Sequence, residues 1–145
     1  MREFIRFDVV RFLKASRHWD EQIADLLADL ESITEIGGTG AGIPSCDISR
    51  PVERTVISRD QILQEIDKLQ EYKECFRYAW ERADMHDLVL LKGFYYAPGY
   101  IYEFVGWWCK NYASNREYCY REKRQAEERF GASCIEWMER QGYDV

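Results

Sequence analysis

Proline is scarce in this 145-residue chain, with three, and histidine scarcer still, with two. So few prolines leave long stretches free to be helical. Neither His18 nor His86 stands beside a candidate nucleophile or in a metal-ligand spacing, so the common acid–base and zinc constellations are missing. Five cysteines (Cys46, Cys75, Cys109, Cys119, Cys134) make an odd number without a C-x-x-C pair. That argues against a disulfide framework and for a reducing, cytoplasmic setting. No run near 18 apolar residues is free of charge, so no spanning helix and no membrane partner are expected. The opening MREFIRFDVVRFLK lacks the apolar centre of a secretory signal. No metal, cofactor or catalytic residue is expected, and the chain reads as non-enzymatic.

What is present is apolar periodicity. Ile5, Val9, Phe12, Ser16, Trp19, Ile23, Leu26, Leu30 and Ile33 recur at alternating steps of four and three, and no Gly or Pro interrupts residues 1–36. The spacing predicts one long amphipathic helix there. Ile62, Ile66, Leu69, Lys73, Phe76, Trp80 and Ala83 repeat the pattern after Ser58, a suitable helix start. Two such stripes bury each other best as an antiparallel hairpin with a coiled-coil seam. Ser16 and Lys73 are its polar members and read as register devices or frayed positions rather than as chemistry. The same pattern also serves pairing between chains, so a homodimer through the heptad seams is the alternative use of these stripes.

Between the stripes, Gly37, Gly38, Gly40, Gly42, Pro44 and Pro51 predict a helix-free connection over 37–52. Its GGTGAG stretch has no Lys-Ser/Thr behind it and no strand before it, so it does not read as a phosphate loop. The expected fold is all-α. A long antiparallel, coiled-coil-like hairpin fills 1–86, and a small helix-turn-helix-like bundle fills 87–145.

The second part differs in composition and charge. Residues 95, 96, 100, 102, 112, 118 and 120 supply seven of the ten tyrosines. Residues 1–90 carry twelve Lys/Arg against eighteen Asp/Glu, a net of −6; residues 91–131 carry seven against five, a net of +2. Helices are expected over Leu88–Tyr96, ending near Ala97-Pro98-Gly99, over Ile101–Lys110, and over Asn115–Phe130, stopped by Gly131. Ser114 with Glu117 makes a capping box for the third. A last short helix would carry Ile135, Trp137 and Met138.

Two helices joined by Asn111-Tyr112-Ala113, the second bearing Arg116, Arg121, Lys123, Arg124 and Arg129, suggest a helix-turn-helix whose partner is duplex DNA. Cys119, Ala126 and Phe130 would face inward, and Arg116, Tyr120, Lys123 and Glu127 outward. Asn115 and Arg116, at the start of the helix, suit base edges. Lys110, Lys123 and Arg124 suit phosphates. A net charge of only +2 over 91–131 predicts weak, salt-sensitive binding.

The layout resembles small phage transcription regulators of the ArpU/RinA type, whose C-terminal part is similar to region 4 of sigma factors. VVRFLKASRHWDEQIADL resembles their first helix, LVLLKGFYY the helix before the helix-turn-helix, and YASNREYCYREKRQAEERF the recognition helix. The resemblance implies DNA contacts at Ser114, Asn115, Arg116, Tyr120 and Lys123. It also implies a role in transcription beside RNA polymerase or another host protein. The chain departs from the group in its turn, Cys109-Lys110-Asn111-Tyr112-Ala113-Ser114, and in the bulky Trp107-Trp108 on the first helix.

A second class of function competes. Tyr95, Tyr96, Tyr100, Tyr102, Trp107 and Trp108 are many large rings for one small domain. Such rings dominate interface hot spots. They suit a phage-encoded interaction module or inhibitor that holds a host or defence protein through an aromatic and acidic surface, with Tyr100, Trp107 and Trp108 in contact.

Overall fold

The computed structural model describes residues 7–39 and 46–143, with side chains described over 7–32 and 59–143. Ile5, the side chain of Ile33, the segment holding Gly40, Gly42 and Pro44, and the thiol of Cys46 lie outside the described residues. Every regular element within them is helical: α1 (Val9–Ser16), α2 (Trp19–Thr39), α3 (Cys46–Arg82), α4 (Met85–Leu91) running on into a π-helical turn (Lys92–Tyr96), α5 (Ile101–Asn111) and α6 (Arg116–Arg140). No described helix is long and apolar enough to cross a membrane. The all-α expectation therefore holds.

The stripes fall where their period puts them. Phe12, Trp19, Ile66 and Leu69 are buried, and Val9, Ile23, Leu26, Leu30, Ile62, Phe76 and Trp80 are half-buried. Three boundaries differ from expectation. First, the helix expected over 1–36 breaks at Arg17–His18. The Ser16 hydroxyl donates to the Leu13 carbonyl at 2.6 Å, and the Tyr96 hydroxyl donates to the same oxygen at 3.3 Å. That oxygen would otherwise receive the Arg17 N–H of a continuing helix. Second, the helix-free connection is shorter than 37–52: α2 runs over Gly37 and Gly38, and α3 starts at Cys46 and passes through Pro51. A glycine costs a helix about 1 kcal/mol without forbidding it, and Pro51 removes one backbone bond near the start of α3. Third, Gly131 does not stop α6. A Cβ there would sit 3.3 Å from Val9 Cβ, so this glycine marks where α1 crosses close to α6.

The chain forms two compact units, Met1–Arg17 with Glu74–Val145, and His18–Lys73. The division expected after residue 86 falls instead within the seam helices. In the His18–Lys73 unit the start of α2 meets the late turns of α3: Trp19 and Tyr72 rings are 5.8 Å apart, and Lys73 is ion-paired with Asp20. That is the antiparallel register of a hairpin.

The other unit is organised on α6. Cys119, Ala126, Phe130, Cys134 and Met138 line its fully buried face. Phe76 from α3 packs between Phe12 at 6.5 Å and Phe130 at 5.4 Å. These aromatic and aliphatic contacts, each removing apolar surface from water, tie α1, the end of α3 and α6 into one core. Glu127, expected to face outward, is 4% exposed. It accepts from the Tyr95 hydroxyl at 2.9 Å and lies 3.4 Å from the Lys123 ammonium. A carboxylate buried with two such partners is satisfied.

Candidate interaction surface

The turn that follows α4 creates the most distinctive feature. LVLLKGFYY begins as α-helix, then widens: the Ala97 N–H reaches the Lys92 carbonyl, five residues back, at 2.7 Å. Pro98 holds Ala97 in an extended conformation (ψ 138°), and Gly99 takes φ +101°, so the chain reverses into α5. Gly93 lies under the Phe104 ring of α5, whose Cε2 atom would stand 2.0 Å from any Cβ built there. Only glycine admits that approach.

The result is an open groove of about 640 Å³. Its walls are Phe76 and Trp80 from α3, Val89 from α4, Lys92, Gly93, Tyr96 and Ala97 from the turn, and Phe104 and Trp107 from α5. The rings brace one another: Phe76 stacks on Trp80 at 5.2 Å, Tyr96 meets Trp80 edge-on at 5.8 Å, and Phe104 stacks on Trp107 at 5.9 Å. Tyr96 is pinned further by its hydroxyl, which lies against the Ser16 hydroxyl and the Leu13 carbonyl, and burial raises its phenol pKa above the ordinary value. Lys92, the one charged wall residue, holds its ammonium 5.9 Å above the Trp80 ring. No ion pair to it occurs among the described residues.

Of the three rings expected to meet a protein partner, Tyr100 is 68% and Trp107 51% exposed, while Trp108 is 1% exposed. Trp108 is therefore a core residue, stacked on Tyr112 at 5.0 Å and tilted against Tyr118 at 6.0 Å. It fills the α5–α6 crossing that a small residue would occupy in a close helix pair. Tyr100 stacks on the equally open Tyr102 at 5.4 Å.

The residues expected to meet DNA scatter more. Lys110, Arg116 and Arg124 are exposed, with no ion pair among the described residues. Ser114 is half-buried and is not the cap. Asn115 holds that position, and its side-chain oxygen accepts the Tyr118 N–H at 2.8 Å. The bond commits part of the amide edge proposed for adenine. Tyr120 leans on Phe94 at 5.5 Å. Lys123 is half-buried, paired with Glu127, and held 5.0 Å over the Phe94 ring. Arg129 is bidentate to the buried Asp87, at 2.7 and 2.8 Å.

Sequence reasoning placed Trp107 at a surface but read Phe76 and Trp80 as seam residues and missed Val89, Lys92, Gly93 and Phe104. The usable signal was Gly93, a glycine inside a helical pattern just before Ala97-Pro98-Gly99. No cluster of metal-ligating side chains occurs among the described residues. Comparison with protein-family models, curated proteins and solved structures gives no match.

Proposed function

We propose that this chain is a non-enzymatic interaction module that holds a segment of a partner protein in the aromatic groove. One observation carries the reading: about 640 Å³ of apolar-walled space opens beside a half-exposed Trp107. Apolar surface gains about 25 cal/mol for each Å² removed from water, and pre-braced rings lose little conformational entropy on docking. The π-helical turn that shapes the groove adds support, because such turns concentrate at functional sites. The test is selection of displayed random peptides on the intact chain, followed by titration against Trp107→Ala. Enriched peptides should weaken at least about tenfold, as expected for an interface anchor. Failure to enrich any Trp107-dependent peptide would sink the reading.

A second reading, DNA-binding transcription regulation, is favoured by one feature. Arg116, Arg121 and Arg124 are exposed on the amino-terminal half of α6, with Lys110 on the preceding helix also exposed. Lys123 contributes least to it, being paired with Glu127. The reading expects a low-salt gel shift with duplex DNA that Arg116→Ala, Arg121→Ala and Arg124→Ala together abolish. A shift unchanged in that triple variant would count against it.

A further inference from the structure

We infer that the segment occupying the groove carries a carboxylate beside its apolar anchor and sets that carboxylate on Lys92. This rests on the interaction reading above and adds the chemistry of the partner. Some cations of this unit meet carboxylates at close range, Lys123 with Glu127, Arg129 with Asp87, and Arg140 with Glu136; Lys92, like Lys110, Arg116 and Arg124, is in no ion pair among the described residues, and of these four it is the one that lines the groove. Lys92 has an aromatic ring instead of an anion. Lys92 is exposed, so its ammonium is open to solvent. An apolar segment laid across Phe104, Trp107 and Trp80 would strip that water away. A desolvated ammonium without an anion is costly, and a cationic segment would be repelled outright. An Asp or Glu placed next to the anchor meets the charge, and the Trp80 face adds a weak preference for the ammonium to stay over the groove.

The experiment compares peptides selected on the wild-type chain with their behaviour on Lys92→Glu and Lys92→Met, folding being checked by helical circular dichroism. Lys92 is exposed, so both variants retain the fold. Trp107-dependent peptides should share an Asp or Glu at a fixed distance from a large apolar residue. They should weaken about fivefold on Lys92→Met and further on Lys92→Glu, and a peptide with that acid changed to Lys should recover binding to Lys92→Glu. Peptides that need Trp107 yet carry no shared acid, or ignore both Lys92 variants, overturn the inference and leave the groove reading standing. Absence of any Trp107-dependent peptide removes both. Concentration-dependent self-association lost in Trp107→Ala overturns the inference too, by assigning the groove to a second copy of the chain.

Discussion

Gly93→Ala is the sharpest test of the groove's construction. The added methyl would stand 2.0 to 2.3 Å from three atoms of the Phe104 ring, whereas ordinary contact begins near 3.4 Å. The ring must therefore retreat by more than 1 Å. In doing so it weakens its edge contact with Phe94 at 5.3 Å and its stack on Trp107 at 5.9 Å. Overpacking of this kind costs about 1–3 kcal/mol. Against it stands the gain of about 0.5–1 kcal/mol from replacing a helical glycine by alanine. The net expectation is a loss of up to about 2.5 kcal/mol, read from urea unfolding followed by far-ultraviolet circular dichroism. The decisive comparison is the same substitution made in a Phe104→Ala background. With the ring gone, the methyl enters vacated space, and Gly93→Ala should stabilise by about 0.5–1 kcal/mol. Equal destabilisation in both backgrounds would refute the claim that Phe104 is what makes residue 93 a glycine.

Three other outcomes follow from the same geometry. Arg129→Met strands the carboxylate of Asp87, whose side chain is 4% exposed. It should cost about 2 kcal/mol in urea unfolding, less than a fully buried pair because the guanidinium is half exposed, and Asp87→Leu added to it should restore much of the loss. Ala113 sits at φ +48°, closing the turn between α5 and α6, so Ala113→Gly should raise stability by up to about 1 kcal/mol; a loss would mean the turn carries no strain. The Glu122 carboxyl is held below its ordinary pKa of 4.5 first by a hydrogen bond from His86 and then by the Tyr118 hydroxyl, with burial opposing. A lowered folded pKa adds stability above the unfolded value and forfeits it as pH falls through the folded one, so Glu122→Gln should lower stability at neutral pH and draw level with the parent chain as pH falls below about 4.5, flattening the acid decline seen in urea unfolding.

Much of the fold was legible because it depends on period alone. Trp19, Ile66 and Leu69 are inside for the reason their spacing gave, and α5 begins at Ile101 because Pro98 and Gly99 end what precedes it. What was illegible is tertiary. At the break after Ser16, the Leu13 carbonyl is taken by Ser16 itself and also by a tyrosine hydroxyl 83 residues away, which no local pattern reveals. Gly131 looked like a stop because no local signal reveals that α1 crosses there. Glu127 read as surface because its two partners, Tyr95 and Lys123, reach it from one turn up its own helix and from another element. The groove escaped for a related reason. Aromatic residues at helical spacing ordinarily make core, and only the approach of Phe104 to Gly93 turns some of that core into an open wall.

The widened turn at Lys92–Tyr96 holds one residue more than an α-helical turn would. That surplus acts as a phase setting for everything downstream. Excising a single residue from it would restore ordinary winding and rotate the chain beyond by about 100°. Tyr96 and α5 would then swing out of alignment with Trp80, and the cleft would close. A one-codon deletion would thus separate the helical content of this chain from the cleft its helices enclose.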